Sequence, residues 1–199
     1  MHISEGMLSA PVLVSGAVLT ATAAGYSLKK MEHKEIPKVA ILSSVFFVAS
    51  LIHVPIGPSS VHLVLNGLTG ILLGWSAYPA ILVALTLQAI LFQFGGITTL
   101  GVNTLNMALP AIICFYFFNQ GVRGKNNFFA LSLAFICGVL SILLSGIMVA
   151  ATLVFTGEHF IQVAKLLIVT HLPVMILEGV LTTFCIGFIR KVRPEILNV

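Results

Sequence analysis

The chain consists largely of long apolar runs separated by polar or Gly/Pro-rich breaks. Crossing a hydrocarbon layer of ~30 Å takes roughly 20 apolar residues, or somewhat fewer where a short or broken helix lines a protein interior. The pattern therefore predicts an all-α membrane protein with seven transmembrane helices. The predicted helices cover residues 9–28, 38–53, 60–75, 79–94, 104–119, 127–155 and 171–189.

Composition supports this class. Of the 199 residues, 58% are hydrophobic and 8% are charged, whereas charged residues make up about 25% of a soluble domain. We therefore expect one membrane-embedded domain, residues 1–199, in the cell membrane. Basic residues outnumber acidic ones by ten to six, and in so apolar a chain this excess indicates loop topology rather than nucleic-acid binding.

The basic residues form three clusters on the same side of a seven-helix arrangement. By the positive-inside rule this side is cytoplasmic, so the N-terminus is predicted to lie outside and the C-terminus inside. The exception is Lys165, in a stretch at 156–170 that is predicted to rest as an amphipathic helix on the outer interface. The three clusters are Lys29, Lys30, Lys34 and Lys38; Arg123 and Lys125; and Arg190, Lys191 and Arg193.

Four of the six histidines, His2, His53, His62 and His171, lie on the predicted outer side. A single histidine near a helix end often does no more than hydrogen-bond to the backbone or to water. Imidazole is also the commonest metal ligand in proteins. The convergence of four on one side therefore favours a metal site.

His2 has a chemical capacity that an internal histidine lacks. The free α-amine of Met1, the amide nitrogen of His2 and the His2 imidazole can bind one metal ion through fused five- and six-membered chelate rings. Three nitrogens in a plane suit Ni²⁺ or Cu²⁺, and one further imidazole would complete a square-planar set. The chemistry requires Met1, which we expect to be retained because histidine is too bulky for ordinary methionine trimming.

The fourth nitrogen is expected from the stretch HVPIGPSSVHLVLNG. Its prolines and glycine predict a stiff turn, after which Ser59 or Ser60 can cap the next helix and place His62 in its first turn. Asn66 is predicted one turn further on the same face, where it could steady the site. His53, on the other arm of the turn, could orient His62 or replace it as the ligand.

The stretch FQFGGITTLGVNTLN is too polar and glycine-rich to face lipid. Irregular backbone at membrane depth is tolerated where it lines a cavity. We therefore interpret residues 94–103 as a lid over the site, with Asn103 and Thr104 as candidate hydrogen-bonding residues. The alternative is a long loop with no special role.

Glu178 is the one acidic residue within a predicted transmembrane helix, seven residues beyond His171. A charge near the membrane centre costs several kcal/mol, so this side chain should face the protein interior and be paired or protonated. A functional role and a structural hydrogen-bonding role both fit the sequence.

The sequence lacks the motifs of an ATPase or a membrane hydrolase. There is no G-x-x-x-x-G-K-[ST] loop, and no aspartate that could form an aspartyl-phosphate. The H-E-x-x-H and nucleophile-elbow motifs are absent as well. We therefore expect neither an enzyme, nor an organic cofactor, nor ATP hydrolysis by this chain alone.

Four segments, in order, resemble one family: MHISEG, SLIHVPIGPSSVHLVLNG, FGGITTLGVNTLNMALPA and HLPVMILEG. They are similar to the substrate-capture (S) subunits of nickel and cobalt energy-coupling-factor (ECF) transporters, called CbiM and NikM. The resemblance implies seven transmembrane helices and binding of Ni²⁺ or Co²⁺ as the transported substrate. Its implied ligands are the Met1 amine, the His2 amide and imidazole, and the His62 imidazole.

The resemblance also implies partners, namely a transmembrane coupling (T) component, a pair of cytoplasmic ATPases and often a small accessory membrane protein. Ala17, Ala21 and Gly25 form a stripe of small residues that suits docking of the T component, although it could instead pack inside the subunit. Some nickel-type members carry Asn where this chain has His53. The extra imidazole could favour Co²⁺ by adding a ligand, or it could act from outside the ligand set.

The predicted function is capture of Ni²⁺ or Co²⁺ outside the cell and its delivery inward with energy from partner ATPases. The alternative is a stand-alone secondary carrier or channel for divalent metals, which would transport metal without ATPases. A membrane enzyme or a structural subunit is a weaker third interpretation, because the sequence carries no catalytic constellation.

Overall fold

The computed structural model describes residues 2–56, 59–157 and 160–197; the side chains at 53–61 and 164 lie outside this description. Within these residues the chain forms seven α-helices and one two-stranded antiparallel hairpin. The elements are α1 (Ala10–Lys30), α2 (Ile36–Ala49), β1 (His53–Ile56), β2 (Ser59–His62), α3 (Asn66–Leu73), α4 (Ala77–Phe92), α5 (Leu100–Val122), α6 (Asn127–Thr156) and α7 (Ile161–Val192).

The predicted class, a helical protein with several membrane-spanning segments, is confirmed. Five helical stretches are long and apolar enough to cross a membrane by length and composition. Helix α2 has 14 residues and α3 has eight, fewer than the roughly 20 that one crossing takes. The predicted seven crossings therefore remain a prediction. The five stretches are Ala10–Lys30, Asn66–Phe92, Leu100–Val122, Asn127–Thr156 and Ile161–Val192.

Helix α3 is the innermost helix of the bundle. All eight of its residues are buried, and α5, α6 and α7 pack around it. Close backbone approach requires its glycines, because a Cβ on Gly70 would overlap the Ala111 carbonyl of α5 and a Cβ on Gly67 would lie 3.0 Å from the Cα of Gly138 in α6. The segment that precedes α3, residues 62–65, is thus continuous with a tightly packed helix.

The segment between α2 and α3 is a β-hairpin, not the end of one helix and the beginning of the next. His53 pairs with His62 and Pro55 with Ser60 across the hairpin. The predicted helix over 60–75 is therefore wrong in its first half, since α3 begins only at Asn66. The arms carry the β-branched residues Val54, Ile56 and Val61, which favour extended backbone, while the turn residues 57–58 lie outside the described part of the chain.

Two other predicted boundaries also differ from the structure. Helix α7 runs unbroken from Ile161 to Val192, so the predicted separate helix over 156–170 is wrong and His171 lies within α7 rather than at its beginning. At 1.5 Å per residue a helix of this length extends ~48 Å, well beyond a hydrocarbon core of ~30 Å. Helix α5 begins at Leu100, which shortens the predicted 94–103 loop to 93–99.

Candidate metal-binding site

The N-terminal segment is fastened to the first turn of α5 by Asn103. The Asn103 Oδ1 atom accepts a hydrogen bond from the Ile3 N–H at 3.0 Å, and Asn103 Nδ2 donates to the Ile3 carbonyl at 3.0 Å. The Thr99 hydroxyl donates to the same carbonyl at 3.0 Å. Because Ile3 and Asn103 are both buried, this pairing fixes the backbone immediately after His2.

A second set of contacts joins the N-terminal segment to the loop between α4 and α5. The Glu5 N–H donates to the Gly95 carbonyl at 3.3 Å, and the Thr98 N–H donates to Glu5 Oε1 at 3.2 Å. Neither Glu5 nor Thr98 was predicted to have a role. The sequence features that could have indicated this contact are an acidic residue at position 5 and the Gly-Gly pair at positions 95 and 96.

Gly95 is required where this loop passes the N-terminal segment. Its φ of +79° lies in the region that side chains rarely adopt, and a Cβ there would lie 2.8 Å from Asn103 Nδ2 and 3.5 Å from the His2 Cβ. The loop thus packs directly on the segment that carries His2. Action of the 93–99 loop as a lid would require the loop to move, and it stays a prediction.

The imidazole rings of His2 and His62 lie stacked, with centroids 4.8 Å apart and planes 15° apart. The Phe94 ring lies on His2 at a centroid distance of 6.3 Å. His62 is only 6% exposed. The fold therefore brings two of the sequence-predicted ligands, which are 60 positions apart in the chain, to one place under an apolar ring.

The orientation of the His62 ring is set by its own backbone. His62 Nδ1 lies 3.0 Å from the Leu63 carbonyl oxygen. A carbonyl can only accept, so Nδ1 carries the proton and Nε2 carries the lone pair that a metal ion would bind. Strand β2 therefore presents His62 in a defined tautomer.

Glu178 lies at the N-terminus of α3. The Val64 N–H donates to Glu178 Oε1, and the Leu65 N–H lies 3.0 Å from both carboxyl oxygens. Leu65, which precedes α3, has a left-handed φ of 55° and makes no side-chain cap. Glu178 from α7 thus supplies the capping oxygens, and a functional role beside this hydrogen bonding stays a prediction.

Asn66 and Thr104, two further candidate residues, both form hydrogen bonds with residues outside the His2–His62 pair. Asn66 is the first residue of α3, not one turn beyond His62 on a shared helix, and its Nδ2 donates to Ser145 Oγ of α6 at 2.8 Å. The Thr104 hydroxyl donates to the Leu100 carbonyl within α5 at 2.8 Å. Both side chains are buried, and neither of these two hydrogen bonds involves His2 or His62.

The remaining candidate ligands are described unevenly. His171 is buried on α7, with Nδ1 donating to the Leu167 carbonyl at 2.6 Å and Nε2 lacking a hydrogen-bond partner among the described residues. Met1 lies outside the described residues, as do the side chains of His53 and Ser60. Their roles stay predictions, with the backbone pairing of His53 opposite His62 as the one relevant placement.

The site offers nitrogen ligands rather than a conventional side-chain cluster. Among the side chains that the structure describes, which exclude those at 53–61, no three from His, Cys, Asp or Glu converge in a way that could hold a metal ion. A chelate that uses backbone nitrogens needs no such group, since one imidazole beyond His2 completes four ligands. The paired rings of His2 and His62 supply this arrangement of side chains.

The predicted docking stripe lies on the outside of the bundle. Ala17, Ala21 and Gly25 of α1 are all exposed, and a Cβ on Gly25 would meet no atom within 4 Å. The buried residues Gly16, Thr20 and Ala24 each precede a residue of the stripe, so the buried face lies about 100° around the helix. At Ala17 the helix also lies close to α5, since a Cβ on Gly101 would be 2.6 Å from the Ala17 Cα; docking of a partner on the stripe stays a prediction.

Comparison with known proteins adds independent information. The model of the CbiM family, described as a cobalt uptake substrate-specific transmembrane region, matches residues 2–196. A Haemophilus influenzae protein named for metal transport is 40% identical, over 100% of this chain and 97% of its own length. A fused Archaeoglobus fulgidus protein named for nickel transport, NikMN, is 29% identical over 100% of this chain and 68% of its own length.

A solved structure shares the fold. The crystal structure of a truncated transition metal transporter superimposes with a TM-score of 0.76 at 27% sequence identity, covering 96% of this chain and 99% of the other. The two chains therefore share one fold over nearly their whole length.

Proposed function

The chain belongs to the CbiM family of cobalt and nickel transport proteins, and from this premise we propose that it is the metal-capturing subunit of an ECF-type importer. It is a multi-pass membrane protein of the cell membrane. In this role it binds Ni²⁺ or Co²⁺ on the outer side and passes the ion inward with energy from partner proteins. The stacked pair of His2 and His62 is the single observation that carries the proposal.

The proposed ligands are four nitrogens. Three come from the Met1 amine, the His2 amide and the His2 imidazole, and the fourth is Nε2 of His62. Metal–imidazole nitrogen distances are about 2 Å, and ring centroids 4.8 Å apart lie within reach of one ion. The anchoring of Ile3 by Asn103 supports this set, because it restricts the backbone that the chelate would use.

The proposed topology has seven crossings, with the N-terminus outside and the C-terminus in the cytoplasm. Arg190 of α7 donates to the carbonyls of Val122 and Gly124 at 2.6 and 2.8 Å. The basic C-terminal cluster therefore lies beside the α5–α6 loop, which carries Arg123 and Lys125. Two basic clusters thus lie at the same end of the bundle, and the positive-inside rule supports the assignment of this end to the cytoplasm.

The proposed partners supply the energy that the chain lacks. With no nucleotide-binding loop and no aspartate in its sequence, the subunit needs a separate ATPase pair and a T component to couple it. The exposed stripe of Ala17, Ala21 and Gly25 supports docking of a T-component helix, because small residues allow close helix approach. The fused NikMN relative supports an accessory membrane protein as a further partner.

The test is metal binding and transport by the purified wild-type chain in liposomes. We expect one Ni²⁺ or Co²⁺ ion per chain by titration and no metal uptake until the T component and the ATPases are added with ATP. Uptake by this polypeptide alone would establish the secondary carrier or channel instead. Absence of binding to either ion would overturn the proposal.

A further inference from the structure

One peptide group connects the His62 ring to the Glu178 carboxyl group. Its carbonyl, that of Leu63, accepts the Nδ1 proton of His62 at 3.0 Å. Its N–H belongs to Val64 and donates to Glu178 Oε1. The Leu63–Val64 peptide is therefore hydrogen-bonded on one side to the imidazole and on the other side to the carboxyl group.

Burial strengthens this connection. Glu178 is 0% exposed, and Val64 and His62 are also buried. Hydrogen bonds in a low-dielectric interior are stronger than in water, and bonds in a chain polarise one another. An acceptor on the Val64 N–H makes the Leu63 carbonyl a better acceptor for the His62 proton. A stronger bond at Nδ1 in turn raises the basicity of Nε2, as occurs where carboxylates support metal-binding histidines directly.

The connection also fixes position. The Leu65 N–H bonds to both oxygens of Glu178 at 3.0 Å, so the carboxyl group holds two successive peptides after His62. Glu178 itself lies next to Gly179, whose Cα would be 2.8 Å from a Cβ on Gly138 of α6. Close packing of α6 on α7 thus leaves the carboxyl group little freedom, and this rigidity passes to the end of β2.

We propose that Glu178 is a positioning residue of the metal site, which acts through the Leu63–Val64 peptide to hold the His62 ring with its proton on Nδ1 and Nε2 available to the metal ion. This inference rests on the proposed function for the identity of the ligand. The hydrogen bonds themselves are independent of it. Capping of α3 is the merely structural role from which the proposal must be distinguished.

The first measurement is the tautomer of His62 in the metal-free wild-type chain. Nitrogen-15 NMR of histidine-labelled protein in detergent separates protonated from unprotonated ring nitrogens, and a His62→Gln variant identifies the His62 signals. We expect the proton on Nδ1. A proton on Nε2 would overturn the proposal, whether or not the chain binds metal.

The second measurement compares Ni²⁺ affinity by calorimetry among the wild type, Glu178→Gln and Thr182→Val. Glutamine retains one acceptor oxygen and nearly the same volume, whereas Thr182 is equally buried on the next turn of α7 and its hydroxyl has no partner among the described residues. We expect Glu178→Gln to weaken binding by about 10–100-fold, the range typical for lost support of a metal ligand, with Thr182→Val within about twofold of the wild type.

The outcomes separate the two proposals. A loss of less than about tenfold in Glu178→Gln, or an equal loss in Thr182→Val, would overturn the role of Glu178. Failure of the wild type to bind Ni²⁺ and Co²⁺ would instead overturn the proposed function. The tautomer of His62 would still test whether its Nδ1 donates to the Leu63 carbonyl. If Glu178→Gln does not fold, which thermal unfolding would reveal, the wild-type tautomer alone decides.

Discussion

The side-chain amide of Asn103 pairs with both backbone polar groups of Ile3, at 3.0 Å each. It makes the contacts that a neighbouring β-strand would make. Asn103 therefore holds the N-terminal segment one position after His2, where the Thr99 hydroxyl adds a third hydrogen bond to Ile3. The pairing gives the backbone next to His2 a defined position, with both polar groups of Ile3 satisfied.

Replacement of Asn103 by Leu removes both hydrogen bonds and leaves the buried Ile3 N–H unsatisfied. An unsatisfied buried donor costs about 1–3 kcal/mol, so the segment should detach and Ni²⁺ affinity should fall by about 10–100-fold. Calorimetric titration measures the loss. Thr104→Val is the matched control, because Thr104 bonds only to Leu100 within α5; an equal loss there would show that the anchor has no special effect.

Replacement of Gly95 by Ala introduces a Cβ 2.8 Å from Asn103 Nδ2. We expect weaker metal binding, because the loop must move away from the N-terminal segment. Gly6→Ala is a closely matched control, since Gly6 has nearly the same φ, +76°, but a Cβ there meets nothing within 4 Å. Both variants carry a backbone strain of about 1 kcal/mol. Equal affinities in titrations of the two variants would contradict a specific role for the loop contact.

Replacement of His53 by Asn tests metal preference. Ni²⁺ is satisfied by a planar set of four nitrogens, whereas Co²⁺ gains more from further ligands. With His53 opposite His62 in the hairpin, we expect the variant to bind Co²⁺ about tenfold more weakly, or 1.4 kcal/mol, and Ni²⁺ almost as well as the wild type. Parallel titrations with absorption spectra report affinity and geometry. Equal losses for both ions would exclude His53 as a cobalt-specific ligand.

Replacement of Gly25 by Leu places a bulky side chain on the exposed stripe of α1. A loss of ~1.4 kcal/mol in helix packing corresponds to about tenfold weaker association, so co-purification with the T component and ATP-driven uptake should both fall. Metal binding by the isolated subunit should not change. Val180→Leu, at an exposed position of α7, is the control, and unaltered uptake in Gly25→Leu would remove the stripe from the proposed interface.

Residue chemistry allowed part of this site to be predicted from the sequence. His2 and Asn103 were candidates because the charge pattern predicted both segments on one side of the membrane, and the structure places His2 beside His62 and Asn103 beside Ile3; Glu178 was a candidate because it is isolated in an apolar helix. The hairpin could not be predicted, because four-residue strands with β-branched side chains have the same apolar pattern as helix ends. The partners of Glu178 could not be predicted either. Val64 and Leu65 lie 114 and 113 positions away, a contact that only the packing of α3 against α7 produces.

The unbroken α7 escaped prediction for another reason. Gln162 and Lys165 interrupt the apolar pattern and suggested a separate interfacial helix, but backbone hydrogen bonds continue through polar residues wherever the helix extends beyond the hydrocarbon layer. The apolar pattern therefore indicates which part of α7 contacts lipid or protein, but not the residue at which the helix begins.

The central claim is that the N-terminal amine and His2 together form the metal chelate. Extension of the chain by two alanines before Met1 converts the Met1 amine into an amide and carries the free amine beyond chelating reach of the His2 imidazole. We expect the wild type to bind one Ni²⁺ or Co²⁺ ion per chain and the chain extended by two alanines, with unchanged thermal stability, to bind neither ion at micromolar concentration. Wild-type affinity in the extended chain, measured by the same titration, would contradict the account.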